Sequence, residues 1–150
     1  MKTSINGLNL ITSNEGLILH PYLDVAGVPT IGYGTTFYPG GKRVTMKDKP
    51  ITKDQAISFL QNALTSFEND INHFVRSKIN QNQFDALADF TYNEGSGHLK
   101  SSTLLQKVNA NPNDPTITHE FLKWVYADGK VCVDLVHRRT QESNLYFKPM

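Results

Sequence analysis

Residues 15–36 read Glu15-Gly-Leu-Ile-Leu-His-Pro-Tyr-Leu-Asp24-Val-Ala-Gly-Val-Pro-Thr30-Ile-Gly-Tyr-Gly-Thr-Thr36, and they decide the fold. A pattern typical of a helix ends in this stretch, and a pattern typical of a small sheet begins in it. Glu15 and Asp24 stand on either side of the change, and they are the only acidic residues among the first 47. Because they do not belong to a scatter of solubilising charges, each is a candidate for chemistry.

The two carboxyl groups have different sequence surroundings. Glu15 follows an apolar run that contains Leu8, Leu10 and Ile11, where desolvation would disfavour its charged form. Asp24 precedes Val-Ala-Gly27, a turn composition with polar backbone groups nearby, so we expect it to be ionised. Two carboxyl groups in contrasting environments suit the division of acid and base roles in glycoside hydrolysis. Taken alone, however, the spacing favours a solvated Glu and a turn-forming Asp.

The whole string is more specific than the spacing. The order Glu15-Gly, then Tyr22-x-Asp24, then Gly27-x-x-Thr30-Ile-Gly-Tyr-Gly34 resembles the phage-type lysozymes, or endolysins, of glycoside hydrolase family 24. The resemblance implies a catalytic set of Glu15, Asp24 and Thr30, with Glu15 as general acid and the other two holding the attacking water. Without the resemblance, Thr30 would be an ordinary β-branched strand residue.

The likeness extends over nearly the whole chain. Further matches occur in the family's order at Phe84-Asp-Ala-Leu87, Asn93-Glu-Gly-Ser-Gly97, Ser102-Thr-Leu-Leu105, Trp124, Gly129-Lys130 and Arg138-Arg139-x-x-Glu142. They imply that Tyr92 and Asn93 contact substrate, although Tyr92 suits a core position and Asn93 a helix cap equally well. Gly34 is a further predicted substrate contact, because glycines at 32 and 34 in one strand suggest a close approach by a ligand or by another segment.

Length and composition are typical of one globular domain without a cofactor. The 150 residues are 39% hydrophobic and 19% charged, with a formal net charge of +1. These values exclude a general attraction to nucleic acid, and no segment is long and apolar enough for a membrane span. Without a recognisable signal peptide, we expect synthesis in the host cytoplasm. A single cysteine, Cys132, excludes an internal disulfide and a thiolate metal cluster, and it is predicted to be a small core residue.

The predicted fold class is α+β, mainly α, and lysozyme-like. One domain over residues 1–150 would comprise a small antiparallel sheet lobe (about 15–50), a connecting helix (about 52–75) and a helical lobe (about 75–150) on which the first helix packs. That first helix runs from Ser4 to Asn14, and strands with two turns follow between Tyr22 and Met46. Thr52 and Gln55 form a capping box that opens the connecting helix.

The sequence of the second half of the chain predicts a series of helices. One covers Gln81 to Glu94, Ser102 caps another, a third runs from Asp114-Pro115 to Gly129, and the last begins near Asp134. Asp134 stands where the family commonly has Gly, and as a good N-cap it would start the last helix. Thr35 stands where the family often has His, a change that should affect stability more than chemistry.

Basic residues offer two further hypotheses. One cluster of basic residues contains Lys42, Arg43, Lys47, Lys49 and Lys53. It could bind an anionic wall polymer, but we prefer the interpretation that it is the solvated edge of a hairpin. The second hypothesis is that Arg138 or Arg139 reaches Glu15 and tunes its pKa. The alternative is that the two arginines lie on a solvated helix face.

The leading functional hypothesis is a monomeric muramidase that cleaves the glycan strand of bacterial peptidoglycan and lyses the host. It would act at the cell wall after release, with a separate pore-forming or delivery protein. One alternative is a metal-dependent wall amidase, but the five histidines are widely spaced and form no His-Glu-x-x-His motif. Another is a peptidoglycan-binding or effector module that does not catalyse.

Overall fold

The first helix, α1 (Ile5–Glu15), begins directly after Ser4. The amide of Asn6 donates to the Ser4 hydroxyl at 3.2 Å, and the Leu8 amide donates to the Ser4 carbonyl at 2.9 Å. These bonds confirm Ser4 as the N-cap. The helix was predicted over residues 4–14. It ends one residue later, at Glu15, which was expected at the end of the helix.

A computed structural model describes residues 1–150 and divides the chain into two compact units. The smaller unit contains residues 11–65, and the larger unit contains residues 1–10 and 66–150.

An antiparallel ribbon of β1 (Ile18–Leu23) and β2 (Pro29–Gly32) opens the smaller unit. Tyr22 pairs with Thr30 and Leu23 with Pro29, and the register shifts between Ile18 and Tyr22. The ribbon therefore begins four residues before the predicted start at Tyr22. Apolar residues within this unit are buried: Ile11, Ile31, Tyr33, Val44, Ala56, Leu60 and Leu64.

Gly32 is the last residue of β2 and Gly34 lies in the turn that follows, so the two glycines do not lie within one strand, which corrects the predicted placement. Both have positive φ, 68° and 86°, which only glycine adopts without strain. The turn brings Ile31 opposite Thr35, and their amides and carbonyls exchange two hydrogen bonds of 2.9 Å. A second turn at Gly40 and Gly41 follows. With the turn at residues 24–27, where the Gly27 amide donates to the Asp24 carbonyl at 2.9 Å, the segment has three turns, one more than predicted.

A side-chain cluster closes the loop that follows. The Asp48 carboxylate accepts from the Thr45 hydroxyl and the Tyr38 hydroxyl, each at 2.6 Å, and from the Thr45 amide at 2.9 Å. These bonds, that from the Thr45 hydroxyl above all, lower the pKa of Asp48 to about 2. The five basic side chains between residues 42 and 53 are all exposed, as the hairpin-edge interpretation predicts.

The long helix α2 (Lys53–Phe74) starts at the predicted capping box. The Thr52 amide donates to the Gln55 side chain at 2.9 Å, and the Gln55 amide donates to the Thr52 hydroxyl at 3.1 Å. Two donors that a helix start would leave unpaired are thereby satisfied.

The larger unit is built around α3 (Gln81–Glu94), whose bounds agree with the prediction. Every residue from Asn82 to Thr91 is buried, so this part of the helix is covered on all sides. Around it lie α4 (Ser96–Ser101), α5 (Thr103–Ala110), α6 (Ile117–Leu122) and α7 (Val133–Tyr146). Ser102 caps α5 as predicted, since its hydroxyl accepts from the Leu105 amide at 3.0 Å.

The predicted helix from Asp114 to Gly129 is wrong beyond Leu122. α6 covers only Ile117–Leu122, and the chain then forms a hairpin of β3 (Tyr126–Ala127) and β4 (Lys130–Val131). Asp128 and Gly129, at the tip, both have positive φ, 51° and 75°. This conformation matches the tight hairpin turn that an Asp-Gly pair favours.

The last helix starts close to the predicted position, but with a different cap. Cys132 is the N-cap of α7, and Asp134 lies in the first turn. Asp134 therefore does not cap the helix, although a negative charge in the first turn is favourable there. Cys132 is half-buried and reduced, which corrects its assignment as a core residue.

Candidate active site

Glu15 is the last residue of α1, and its side chain is half-buried. Gly16 follows with a φ of 67°, a left-handed conformation that commonly ends a helix. The chain then turns into β1 within two residues. Glu15 is thus held at the junction of helix and ribbon, where the sequence predicted it.

Asp24 lies in the loop that joins β1 to β2, and one of its oxygens is held by the backbone. Its Oδ1 accepts from the amides of Ala26 at 2.8 Å and Val28 at 2.9 Å. The Asp24 amide in turn donates to the Val28 carbonyl at 3.0 Å. These bonds fix the orientation of the carboxylate. Its second oxygen, Oδ2, receives no hydrogen bond from the chain.

The peptide groups of Val28 also hold Thr30. The buried Thr30 hydroxyl donates to the Val28 carbonyl at 2.8 Å, the same carbonyl that accepts from the Asp24 amide. Asp24 and Thr30 therefore share one anchor. Because the Thr30 proton is committed to a carbonyl, the hydroxyl oxygen keeps its lone pairs for accepting. Two acceptors, a carboxylate oxygen and a hydroxyl oxygen, are fixed relative to the same residue.

Tyr22 links this pair to Glu15. It stands opposite Thr30 in the ribbon and two residues before Asp24. Burial raises the pKa of the Tyr22 phenol, and the negative charges of Asp24 and Glu15 raise it further. Since both charges act on one phenol, both carboxylates lie within electrostatic range of it. The sequence motif contained Tyr22, but the sequence assigned it no role.

The glycines of the predicted substrate strand have different surroundings. A Cβ at Gly32 would lie 3.2 Å from the Cβ of Ala56 and 3.4 Å from Ile51. The close approach at Gly32 is therefore made by another segment of the same unit. Gly34 is exposed at the following turn, and its contact with a sugar stays a prediction.

Tyr92 and Asn93 lie at the end of α3 in the larger unit. Tyr92 is half-buried with its ring edge-on to Phe67, at a centroid distance of 5.7 Å. Asn93 is exposed, and its side-chain oxygen accepts from the Arg139 guanidinium. Because arginine only donates, this bond orients the Asn93 amide with its NH₂ group on the other side. Neither observation tests the predicted substrate contacts.

Both arginines of α7 are buried, so the solvated-face alternative is wrong. Arg138 forms two bonds to the Asp89 carboxylate, at 3.0 and 2.8 Å. Arg139 donates to both oxygens of Glu142 at 2.5 and 2.7 Å and to the Trp124 carbonyl at 3.0 Å. These contacts join α3, α7 and the start of the hairpin. That one arginine tunes Glu15 stays a prediction.

Glu142 is the group in this network most affected by its surroundings. Burial raises its pKa well above the ordinary value, and a hydrogen bond with Asp89 raises it further, whereas Arg139 opposes the shift. The upward direction prevails, because taking the Glu142 carboxylate out of water costs more than its bonds to Arg139 return.

The structure has neither a cluster of metal-binding side chains nor a helix that could cross a membrane. No group of three or more His, Cys, Asp or Glu side chains could hold a metal ion. None of the helices has the length and apolar character needed to cross a membrane.

Comparisons with known proteins agree with the sequence resemblance. Residues 12–142 match the family described as phage lysozyme. An endolysin of Bacillus phage B103 is 40% identical over 146 residues, which cover 97% of this chain and 54% of that protein. The chain spans about half the length of the curated Bacillus phage relatives that it matches.

Solved structures resemble this one over almost their entire length. An endolysin from Escherichia coli O157:H7 phage FAHEc1 has a TM-score of 0.89 and 36% identity, with 98% of this chain and 94% of that chain covered. A P22 lysozyme mutant has a TM-score of 0.90 and 32% identity, with 99% of both chains covered. These matches confirm both the family resemblance and the predicted lysozyme-like fold class.

Proposed function

We propose that this chain, which belongs to the phage lysozyme family, is a muramidase that hydrolyses the β-1,4 bond between N-acetylmuramic acid and N-acetylglucosamine in peptidoglycan. The observation that carries the proposal is the shared anchor at Val28, which holds Asp24 and Thr30 beside a tyrosine that senses the charge of Glu15. All three residues of the proposed catalytic set belong to the smaller unit, which supports the proposal.

Glu15 is the proposed general acid. Cleavage of an acetal needs a proton on the departing oxygen, because an alkoxide is a poor leaving group near neutral pH. The role requires Glu15 to carry a proton when the glycan binds. Its half-buried side chain at a helix end supports this role.

Asp24 and Thr30 are proposed to hold the attacking water. A water molecule has two protons, and the site offers two acceptors, the unbonded Oδ2 of Asp24 and the Thr30 hydroxyl oxygen. A water that donates to both presents its own lone pair to the anomeric carbon. Asp24 then accepts the proton that the water loses as the bond to carbon forms. The proposed outcome is inversion of the anomeric configuration.

Gly34, Tyr92 and Asn93 are proposed to contact the glycan. The Asn93 amide, with its oxygen engaged by Arg139, offers N–H donors that suit an acetamido carbonyl. Gly34 is exposed, and it has no side chain that would keep a sugar away from its peptide groups.

The test is a digest of purified peptidoglycan by the parent and by Glu15→Gln, with the products analysed by mass spectrometry. We expect reducing N-acetylmuramic ends from the parent and a rate at least 100-fold lower from the variant, since loss of a general acid typically costs about 10²–10⁴-fold. A folded variant that digests as fast as the parent would refute the role of Glu15. A covalent glycosyl-enzyme would refute inversion.

The same digest separates the other functions. Free peptides with sensitivity to a chelator would indicate the metal-dependent amidase, and binding without products would indicate a module that does not catalyse. No structural observation favours either alternative.

The biological setting is proposed from the same family membership. The protein would be made in the host cytoplasm, act as a monomer on the wall after release, and lyse the cell with help from a pore-forming or delivery protein. Residues 1–150 are proposed to form a single lysozyme-like domain, which limited proteolysis of the folded protein would test.

A further inference from the structure

Tyr22 occupies a central place in the proposed site but has no role in the mechanism above. It pairs with Thr30 across the ribbon, and directly opposed residues of an antiparallel pair project from the same face. Asp24 follows two residues later, at the end of the strand. Tyr22 therefore stands on the face that carries the proposed water site.

The Tyr22 hydroxyl is not used to hold the fold together. No residue of the chain donates to it or accepts from it. Two other tyrosines show the contrasting case: the Tyr38 hydroxyl donates to Asp48 at 2.6 Å, and the Tyr146 hydroxyl donates to the Pro112 carbonyl at 2.8 Å. A partly desolvated phenol without a partner in the chain is costly unless something else satisfies it.

The surroundings of the hydroxyl select the kind of partner. The charges of Glu15 and Asp24 both raise the pKa of the phenol, after burial, so it remains a neutral donor over the range in which a lysozyme works. A neutral hydroxyl can donate to a sugar oxygen without repelling either carboxylate. Because Tyr22 pairs with Thr30, its side chain lies on the face of the ribbon to which the proposed mechanism brings the sugar.

We propose that Tyr22 is a substrate-contacting residue whose hydroxyl hydrogen-bonds a sugar oxygen between Glu15 and the pair formed by Asp24 and Thr30. The proposal rests on the muramidase function proposed above, because it places the scissile sugar at this site. It assigns to the tyrosine of the Tyr-x-Asp motif a binding role that is separate from the chemistry.

The experiment compares Tyr22→Phe with a matched control, Tyr38→Phe, in the same unit. Each change removes one hydroxyl and keeps the ring. Tyr22→Phe should lower kcat/KM on peptidoglycan roughly 3- to 10-fold, which corresponds to one lost hydrogen bond, and should leave the thermal unfolding midpoint unchanged. Tyr38→Phe should lower the thermal unfolding midpoint, because it breaks an internal bond to Asp48. It should leave kcat/KM within about 2-fold of the parent.

A second measurement does not depend on turnover. In the Glu15→Gln background, the affinity for an N-acetylglucosamine oligomer is measured with and without Tyr22→Phe. We expect the added change to weaken binding by roughly 3- to 10-fold. Equal affinities, together with an unchanged kcat/KM for the single variant, would overturn the proposal. A Glu15→Gln protein as active as the parent would instead overturn the proposed function, while the affinity comparison would still report on Tyr22.

Discussion

Gly7→Ala tests how rigidly the start of α1 is held. Gly7 lies within the helix, where exchange of glycine for alanine ordinarily stabilises by about 1 kcal/mol. Here the added Cβ would lie 2.6 Å from Cγ2 of Thr3 and 2.8 Å from Cγ of Asp85. Helix propensity and packing therefore predict opposite signs for the change in the free energy of unfolding.

The contacts of Asp85 decide between the two signs. Its carboxylate is fully buried and accepts from the Ser4 amide at 2.9 Å, from the Ser4 hydroxyl, and from the Gln81 side chain at 2.8 Å. Overpacking costs about 1–3 kcal/mol, and weakening one bond to a charged group costs about 1.5–3 kcal/mol. Since either cost matches or exceeds the gain in propensity, we expect Gly7→Ala to lower the free energy of unfolding by about 2 kcal/mol.

Urea denaturation followed by circular dichroism measures this difference. A loss of about 2 kcal/mol should lower the thermal midpoint by roughly 4–8 °C in a chain of this size. The matched control is Asn6→Ala, an exposed position of the same helix, which should be neutral or stabilising by a few tenths of a kcal/mol. If Gly7→Ala is stabilising like the control, Asp85 can move at little cost and the packing argument is wrong.

Three further predictions concern other sites. Gly32→Ala should lose about 2 kcal/mol in denaturant unfolding, because it adds a close contact to a left-handed backbone; an unchanged midpoint would contradict this. Glu142 has a raised pKa in the folded state, so its stabilising contribution is present below about 4.5 and is lost as the pH rises through the folded value. Glu142→Gln should flatten the decline of the unfolding midpoint with rising pH, and an equal slope in the variant would argue against a raised pKa of Glu142. Hydrogen bonds from Thr45 and Tyr38 lower the pKa of Asp48 from 3.8 to about 2. The contribution of Asp48 to stability is therefore present above pH 3.8 and is lost as the pH falls through about 2. Asp48→Asn should remove this part of the acid sensitivity when the unfolding midpoint is measured over an acid titration.

Local chemistry explains why most helix starts could be predicted. Ser4, Thr52 and Ser102 each cap a helix through contacts within three residues, so the necessary partners are visible in the sequence. The Asp128-Gly129 turn is equally local, yet the prediction missed its hairpin. The apolar residues around Trp124 suggested a continuing helix, and they outweighed a turn signal that the sequence contained.

The buried ion network shows where sequence reasoning ends. Arg138 and Asp89 are 49 positions apart, and no periodicity indicates that they meet. Two adjacent arginines on a helix are usually solvated, so their burial depends on the packing of α7 against α3. The complete covering of α3 arises in the same way, because residues that are polar in sequence find partners only after the neighbouring helices assemble.

The candidate site was predictable in part for a related reason. Glu15, Asp24 and Thr30 were identified by the family string, and the structure holds Asp24 and Thr30 by one shared anchor. Val28 carries no signal for that role, since it acts through its peptide groups. Tyr22 was visible in the motif, but its pairing with Thr30 depends on the register of the ribbon.

The anchor at Val28 has a practical consequence for protein engineering. Its hydrogen bonds use only main-chain atoms, which nineteen of the twenty amino acids can supply equally. Proline, which lacks the N–H, is the exception. If the proposed site is correct, a library randomised at this codon should retain active clones with chemically diverse side chains, because the backbone bonds that hold Asp24 and Thr30 are kept.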